Sequence, residues 1–376
     1  MKFAFCVFKY FPFGGLERNC LRMAQVAVER GHQVDIYCLD WQGDKPSNIN
    51  VIELRVSALT NHGRAAAFSK KMQKIFVETP YDIVVGFNRM PGLDVFYAAD
   101  VCYEHDVQER HGALYRMSPR YRVYSAFERA VFSPESTTEI LSIVDAEKDF
   151  CKQYYKTPEH RFHDVPPGIA RDRMAPDNYA EIRQAVRAEF SISEDDFIVV
   201  FTGSDFKRKG LSRLLCAVAK LPVAVLNKMH VWVLGKSDPA AYKAQAKKLG
   251  IAQRVEFLGA RSDIPRLFFS ADCLVHPAIK EATGGVLLEA LVSGMPVIAT
   301  RVCGFAPHIE KANAGIVLSE PFNQIELNNA LRTLLTGVAL AHLKANAIAY
   351  GRKEDLYSRA ERSVAIFEEI GKRREV

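Results

Sequence analysis

The chain has 376 residues, of which 48% are hydrophobic and 25% are charged, a composition typical of a globular protein and not of a disordered or fibrous one. This length exceeds one compact core of ordinary size and favours two domains. The net charge of +6 suits an anionic ligand or surface, and the lack of zinc-finger spacing and of an RNA-binding aromatic signature argues against nucleic acid.

Short apolar strands alternate with amphipathic helices in the first half of the chain. We predict strands at residues 2–8, 33–39, 51–56 and 81–87, a strand or turn at 95–101, and helices at 17–30 and 64–78. Helices between successive strands imply a parallel sheet. Two prolines and a glycine at residues 166–168 then stop any regular element, which suits a crossing between domains.

The same alternation returns in the second half, with strands predicted at 197–202, 230–234, 255–258, 273–276 and 296–300, and helices at 211–220, 239–249, 264–270 and 285–293. The pattern predicts an α/β fold of two doubly wound, Rossmann-like domains facing a cleft. We expect the domains to be residues 1–167 and 168–355. A last helix near 356–372, within the segment 356–376, is expected to pack back on the first domain.

The sequence contains no feature of a membrane-spanning or secreted protein. No apolar run reaches the roughly 18 residues that would span a bilayer, and the chain enters a predicted strand where a signal peptide would stand. The eight cysteines are scattered without a Cys-x-x-Cys pair, as expected for reduced core thiols. We therefore expect a soluble, cytoplasmic protein.

Gly14 and Gly15 separate the first predicted strand from its helix. Small residues here let a backbone approach a ligand, and a helix N-terminus offers N–H groups to an anion such as a diphosphate. The alternative is a tight strand-to-helix turn with no ligand. The spacing is not Gly-x-Gly-x-x-Gly, which argues against the usual dinucleotide turn.

A basic loop follows the first strand of the second half, with Arg208 and Lys209 between Gly203 and Gly210. Open α/β sheets bind ligands at the carboxyl ends of their strands. Cations placed there can neutralise a diphosphate as it becomes a leaving group. The alternative is a solvated basic loop.

The most specific segment runs from His276 to Ala290, where a strand end leads into a helix. Glu281 lies in the predicted loop and Glu289 in the helix, eight positions apart. Carboxylates accept hydrogen bonds from sugar hydroxyls, and helix-start N–H groups face phosphate. The backbone donors expected here belong to Thr283, Gly284, Gly285, Val286 and Leu287. Otherwise Glu289 is a structural helix residue and Glu281 a surface loop residue.

Taken together, these motifs resemble the retaining glycosyltransferases of family 4, which have GT-B architecture. The similarity extends over nearly the whole chain, through residues 10–18, 203–206, 208–210, 281 and 289. Residues 61–64, 86–88, 90–94 and 98–103 are similar to the members of that family that build the lipopolysaccharide core.

The resemblance implies transfer from a UDP-sugar, with retention, to a heptose of the lipopolysaccharide inner core. It implies that Glu289 contacts the donor ribose, Glu281 the donor sugar, and Arg208 with Lys209 the diphosphate. The remaining donor-binding residues that it implies are Gly14, Gly15, Gly203, Arg261, Ala282, Thr283, Gly284, Gly285, Val286 and Leu287. The transferred hexose is left open between the glucose and galactosamine types.

Asp100 matches the acidic residue that this subgroup places near the anomeric centre. A carboxylate at a strand end can accept the proton of the acceptor hydroxyl or hold its orientation. The alternative is a helix cap or turn aspartate.

No Asp-x-Asp pair is present to hold a metal-bound diphosphate, since Asp195 and Asp196 are adjacent in a predicted turn. We expect no metal and no other cofactor, with Arg208 and Lys209 in the place that a cation would take. The three residues Asp100, Arg208 and Lys209, with Glu281, are our expected catalytic set.

Residues 111–127 combine cations and aromatic rings without an acidic residue. Such a mixture suits an anionic bilayer interface, and relatives are thought to dock on the inner membrane here. A site for an acceptor phosphate would use the same residues, and acids flank the stretch. The side chains concerned are Arg116, Arg120, Arg122, Tyr115, Tyr121, Tyr124 and Phe127, with Glu104, Asp106, Glu109 and Glu128 as flanking acids.

Three functions compete for this sequence: a UDP-sugar hexosyltransferase at the cytoplasmic face of the inner membrane, an NAD-dependent nucleotide-sugar epimerase or dehydrogenase, and a non-catalytic binding scaffold. A glycosyltransferase acting on another lipid-linked acceptor is a variant of the first. The NAD-dependent enzyme needs a Gly-x-Gly-x-x-Gly turn and usually a Tyr-x-x-x-Lys pair, which the sequence lacks. The scaffold predicts UDP binding without transfer.

Overall fold

The computed structural model describes residues 1–12, 14–336 and 339–374. The chain divides into two compact units, one formed by Met1–Gly168 with Ser358–Val376 and the other by Ile169–Tyr357. These bounds lie within two residues of the predicted domain limits. The crossing from the first unit to the second comes at the predicted proline-rich segment.

A parallel sheet of seven strands forms the centre of the first unit, in the order β3-β2-β1-β4-β5-β6-β7. Its strands are β1 (Lys2–Cys6), β2 (Gln33–Cys38), β3 (Asn50–Glu53), β4 (Ile83–Gly86), β5 (Val95–Ala98), β6 (Glu139–Ser142) and β7 (Phe162–Asp164). Its helices are α1 (Gly15–Glu29), α2 (Asn61–Glu78), α3 (Tyr103–Arg110), α4 (Pro119–Phe132) and α5 (Asp145–Tyr155). The strands predicted up to residue 101 are confirmed with shorter bounds, and β6 and β7 were missed.

The second unit repeats this plan with a parallel sheet of six strands, in the order β10-β9-β8-β11-β12-β13. Its strands are β8 (Phe197–Thr202), β9 (Met229–Leu234), β10 (Val255–Gly259), β11 (Cys273–His276), β12 (Val297–Thr300) and β13 (Gly315–Leu318). Its helices are α6 (Tyr179–Glu189), α7 (Leu211–Val218), α8 (Val223–Leu226), α9 (Ala240–Lys248), α10 (Ile264–Ser270), α11 (Gly285–Val292), α12 (Ala306–Ala312), α13 (Gln324–Thr336) and α14 (Ala339–Lys353). The predicted bounds of β8, β11 and α10 are confirmed.

A last helix, α15 (Arg359–Arg374), packs on the first unit. Its Phe367 ring is fully buried and meets the rings of Phe3 and Phe5 edge-on, with centroids 6.1 and 5.9 Å away. Arg359, at the start of the helix, donates to the Tyr97 hydroxyl at 2.6 Å. This is the position expected for the segment 356–376, of which residues 375 and 376 lie outside the described part of the chain.

Both sheets reverse their strand order once, between β1 and β4 in the first unit and between β8 and β11 in the second. In open α/β sheets the carboxyl ends of the strands diverge at such a point and leave a crevice for a ligand. A functional site is therefore expected at the loops that follow these four strands.

None of the helices described by the structure is both long and apolar enough to cross a membrane. All eight cysteines carry free thiols, and all except Cys216 are buried. This agrees with the core thiols expected from the sequence.

Candidate functional site

Two loops meet at the point where the second sheet reverses its strand order. Residues 203–210 follow β8, residues 277–284 follow β11, and the Ile279 N–H donates to the Arg208 carbonyl oxygen at 2.8 Å. Gly210, which precedes α7, has a φ of +81°, and a Cβ atom there would collide with the carbonyl oxygen of Pro277. Glycine at this position therefore allows the two loops to lie against each other.

Opposite charges from the two loops meet around the Glu281 carboxylate. Lys209 forms an ion pair with Glu281, and the Arg208 Nη1 atom lies 3.5 Å from the same carboxylate oxygen. The Glu281 side chain is only 9% exposed and that of Lys209 only 11%, so water screens this pair weakly. The structure thus brings together three of the four residues predicted as catalytic.

Two titrating groups in this cluster are strongly affected by burial. Burial, with the nearby Arg208 guanidinium, lowers the pKa of Lys209 to about 8. The Glu281 carboxylate that pairs with Lys209 favours its charged form. His276, at the end of β11, is fully buried, and burial with the two cations holds its pKa well below the usual value. Its Nε2 atom lies 3.7 Å from Glu281, and His276 is neutral in this setting.

Three side chains hold the 277–281 backbone in place, and two of them, Arg213 and Thr300, were not predicted as site residues. The Arg213 Nη1 atom donates to the carbonyl oxygens of Pro277 and Ala278, at 3.1 and 3.0 Å. The Thr300 hydroxyl donates to Ala278 at 2.8 Å, and Arg208 donates to the Lys280 carbonyl oxygen at 3.2 Å. Arg213 and Thr300 give no sequence signal, because a cation one turn into a helix and a threonine at a strand end are both ordinary.

The first turn of α11 has free space beside Gly285. Gly284 precedes it with a φ of +81°, and a Cβ atom added at Gly285 would meet nothing within 4 Å. The Leu287 N–H, however, donates to the Gly284 carbonyl oxygen at 2.9 Å, and the Leu287 side chain is fully buried. The Leu287 N–H is therefore engaged within the first turn of the helix, and its predicted contact with phosphate stays a prediction.

The other predicted donor-binding residues of the second unit occupy three settings. Ala282 and Thr283 belong to the loop before α11, where the Thr283 carbonyl oxygen accepts a hydrogen bond from the Phe305 N–H at 2.8 Å. Val286 and Glu289 lie on α11 itself and are half-buried. Arg261 makes two hydrogen bonds to Asp263, at 2.7 and 2.6 Å, so its guanidinium is already engaged with a neighbouring carboxylate.

A cavity of about 320 Å³ lies at the carboxyl ends of β8, β9 and β10. Phe206 and Phe257 contribute aromatic rings to its wall, and Gly235 and Gly259 contribute backbone. Phe206 belongs to the same loop as Gly203 and Lys209. A planar, weakly polar group fits a lining of this kind.

In the first unit, Gly14 precedes α1 and a Cβ atom there would collide with the Glu17 side chain. A Cβ atom at Gly15 would meet nothing within 4 Å, and the atoms nearest to a Cβ at Gly14 belong to the movable end of the Glu17 side chain, so packing alone does not require either glycine. Phe13, within the matching motif, lies outside the described residues. The predicted diphosphate contact of Gly14 and Gly15 stays a prediction.

Asp100 is exposed and lies in a bend two residues after β5. The residue preceding α3 is Cys102, so Asp100 is not the cap of that helix. Arg89 holds this segment in place, because its guanidinium donates hydrogen bonds to the carbonyl oxygens of Asp100 and Val101 at 3.2 and 2.6 Å. The buried Glu128 carboxylate accepts hydrogen bonds from the N–H groups of Tyr103 and Glu104 at the start of α3, at 2.7 and 2.9 Å. These contacts fix the position of the backbone next to Asp100.

The aromatic residues of the 111–127 segment are mostly structural. Phe127 is buried, and the ring of Tyr103 packs against those of Tyr121 and Tyr124. Glu104 accepts hydrogen bonds from both Arg116, at 2.6 Å, and the Tyr121 hydroxyl, at 2.8 Å. Phe127 therefore offers no surface to a bilayer, whereas Tyr115, Tyr121 and Tyr124 pack on neighbouring rings and are only half-buried.

The exposed apolar side chains of this segment are Leu114, 82% exposed, and Met117, 66% exposed. They stand next to Arg116, Arg120 and Arg122, which are exposed as well. The flanking acid Glu128 is buried and paired with Arg89, so it contributes no charge to this surface.

Comparison with known proteins agrees with this geometry. The model "Glycosyltransferase Family 4" matches residues 13–173, and "Glycosyl transferases group 1" matches residues 182–354. The lipopolysaccharide glucosyltransferase WaaG of Escherichia coli (strain K12) is 44% identical over 365 residues, which is 96% of this chain and 97% of that protein.

Solved structures have the same fold. A crystal structure of WaaG, described as a glycosyltransferase involved in lipopolysaccharide biosynthesis, superposes with a TM-score of 0.90 at 42% identity, over 97% of this chain and 99% of the other. The Anabaena protein HepE, in complex with UDP and glucose, shares the fold with a TM-score of 0.75 at 19% identity, over 98% and 100% of the two chains. The chain belongs to the glycosyltransferases of family 4, with GT-B architecture, in the same family as the Escherichia coli lipopolysaccharide glucosyltransferase.

Proposed function

We propose that the protein transfers a hexose, of the glucose or galactosamine type, from a UDP-sugar to a heptose of the lipopolysaccharide inner core, with retention of configuration. The observation that carries this proposal is the buried cluster of Arg208, Lys209 and Glu281 where the second sheet reverses its strand order. The similarity to the Escherichia coli enzyme supports the choice of acceptor and sugar. The family assignment decides against the NAD-dependent alternative.

The second unit offers a separate place for each part of the donor. The cavity of about 320 Å³ beside Phe206 and Phe257 takes the uracil ring. Arg208, Lys209 and the first turn of α11 take the diphosphate, since cations and helix N-termini both favour anions. Glu281 holds the transferred sugar and Glu289 the ribose, as carboxylates accept hydrogen bonds from vicinal hydroxyls.

The chemistry follows from the charge that develops when the sugar leaves. As the bond to the anomeric carbon breaks, negative charge grows on the diphosphate, and Lys209 with Arg208 stabilises it. A UDP leaving group neutralised in this way needs no proton, so no general acid is required on that side. Asp100, exposed after β5, accepts the proton of the acceptor hydroxyl or holds that hydroxyl in place.

The proposal includes metal-independent donor binding, with the two cations in the place of a divalent ion. Calorimetric titration of the whole chain with UDP and a panel of UDP-sugars, first in chelator and then in magnesium, tests this directly. We expect UDP-glucose to bind equally in both, and [14C]-labelled glucose to reach a heptose acceptor. If UDP-sugars bind neither in chelator nor in magnesium, the proposed donor site is contradicted. Binding without transfer to any heptose acceptor supports the scaffold alternative.

We also propose that the enzyme works at the cytoplasmic face of the inner membrane, bound peripherally through the surface formed by Leu114, Met117, Arg116, Arg120 and Arg122. Burying two apolar side chains at a lipid interface and placing cations near anionic headgroups both favour binding. In the described part of the chain neither Arg120 nor Arg122 forms an ion pair, which leaves both charges available for lipid.

Replacing Leu114 and Met117 together with serine should weaken binding to vesicles containing anionic phospholipid by about tenfold or more, because each buried side chain contributes about 1.5–3 kcal/mol when fully transferred. Sedimentation with vesicles of phosphatidylethanolamine and phosphatidylglycerol measures this. Leu59→Ser with Val77→Ser, at positions of the same unit that are more exposed than Leu114 and Met117, is the matched control. Equal binding by both double variants would contradict the assignment of this surface.

A further inference from the structure

The first unit has a cavity of its own at the point where its sheet reverses strand order. It has a volume of about 340 Å³ and lies beyond the carboxyl ends of β1 and β4. Lys9 follows β1, Asn88 follows β4, and Asn61 with Arg64 belongs to the first turn of α2. This volume falls within the range of small-molecule sites, about 300–1,000 Å³.

Two cations of this cavity have no partner among the residues that the structure describes. In the part of the chain that the structure describes, neither the Lys9 ammonium nor the Arg64 guanidinium forms an ion pair or a side-chain hydrogen bond. Most other arginines of the first unit do, as Arg89 does with Glu128. Arg64 is half-buried, and a half-buried, unpaired guanidinium beside a cavity is suited to an anionic ligand.

The other polar groups of the cavity suit a sugar. The Asn88 Oδ1 atom accepts a hydrogen bond from the Phe8 N–H at 2.7 Å. This contact fixes the orientation of the amide, whose NH2 group can donate hydrogen bonds to a ligand. Asn61 adds a second amide, and Phe11 and Tyr124 add aromatic surface to the wall. Amides beside aromatic rings match the alternating polar and apolar faces of a pyranose.

The cavity is also linked to the residue expected to act on the acceptor. Glu17, in the first turn of α1, lines it. Burial raises the pKa of Glu17, and the Asp100 carboxylate raises it further. Asp100 follows β5, which pairs with β4, so it lies at the same carboxyl edge of the sheet as the cavity.

We propose that this cavity binds a sugar unit of the acceptor that carries a phosphate or carboxylate, with Arg64 and Lys9 holding the anionic group. The inference rests on the proposed function, because it assigns the cavity to the acceptor of that reaction. The anion fixes the acceptor at one end, and its reacting hydroxyl lies toward Asp100 and Glu17. The acceptor is thus recognised by charge as well as by shape.

Three acceptor probes test the proposal: a neutral heptose disaccharide, the same disaccharide with a phosphate monoester, and the disaccharide extended by a carboxylate-bearing ulosonic acid. We expect the wild-type chain to prefer one of the anionic probes, and the identity of that probe shows which anion the cavity takes. Arg64→Gln should raise KM for that probe about tenfold, as expected for the loss of one charge-assisted contact. KM for the neutral probe, kcat and UDP affinity should change little.

Lys74→Gln is the matched control, because it removes a cation from the same helix at an exposed position outside the cavity. Titration of the protein with the phosphorylated disaccharide, by calorimetry without donor, separates this inference from the proposed function. If no probe is glycosylated, the proposed function fails, yet binding that Arg64→Gln weakens and Lys74→Gln does not still supports the cavity. Equal binding of neutral and anionic probes, or equal effects of the two variants, overturns it.

Discussion

Replacing Glu281 with alanine is expected to lower kcat/KM for hexosyl transfer by about 10²–10³, the usual cost of losing one preorganised polar contact at a reacting centre. UDP affinity should stay within about threefold of the wild-type value. Glu281 is placed to hold the sugar, and its carboxylate pairs with Lys209 in the unliganded chain. Removing that carboxylate leaves Lys209 free to bind the diphosphate.

Transfer from UDP-glucose to a heptose acceptor and calorimetry with UDP measure the two quantities separately. Glu281→Gln keeps the shape of the side chain and should lose nearly as much activity, because the negative charge is absent. Glu181→Gln, at an exposed position on α6, is the neutral control. A parallel loss of UDP affinity and transfer in Glu281→Ala would show that Glu281 acts on the nucleotide and not on the sugar.

The core of this site was predictable from sequence because its parts follow strand ends. A glycine-flanked basic loop after β8 and a Gly-Gly helix start after β11 both lie at the carboxyl edge of a parallel sheet, and adjacent strands bring their following loops together. Residues as distant as Lys209 and Glu281 could therefore be assigned to one place. Their direct ion pair was not predicted, since it depends on the path of the loops and on burial.

Some strands and the exposed residues of the 111–127 segment were not predicted, because their sequence patterns are short or fit more than one structure. The strands β6 and β7 were missed because they contain only two apolar residues and one, too few for a strand pattern to stand out. The strand β13 was missed as well. Phe127 and the nearby tyrosines look the same in a sequence whether they pack on one another or face lipid. Only the fold shows that Phe127 is buried and that Leu114 and Met117 are exposed.

The supporting residues could not have been found without the fold. Arg213 and Thr300 act through backbone carbonyl groups of a loop 64 and 22 positions away, and such contacts leave no local pattern. The two cations of the first-unit cavity likewise leave no local pattern in the sequence. Lys9 and Arg64 are ordinary surface residues in the sequence, and they become a candidate anion site only because α2 places Arg64 beside the loop that follows β1.

Replacing both Arg208 and Lys209 with alanine should weaken UDP binding by about 10²–10³, since each charge-assisted contact to phosphate contributes about 1.5–3 kcal/mol. Turnover should fall as well, because the same charges stabilise the leaving diphosphate. The substitutions also leave the Glu281 carboxylate, only 9% exposed, without its two cations. Its repulsion of phosphate adds to the loss, so Glu281→Gln in the double variant should recover part of the UDP affinity. Unchanged kinetics would place the phosphate site elsewhere.

The pH dependence of donor binding gives an independent check on Lys209. Because the pKa of Lys209 is lowered to about 8, its ammonium is present below that pH and is lost as the pH rises through it. The phosphates of UDP-glucose do not titrate there, so wild-type affinity should fall by up to about tenfold per pH unit above about 8. The double variant lacks Lys209, and its weaker affinity should not change between pH 7.5 and about 8.5, below the range in which the uracil N3–H loses its proton. A wild-type affinity that stays constant between pH 7.5 and about 8.5 would show that the Glu281 carboxylate keeps Lys209 charged throughout.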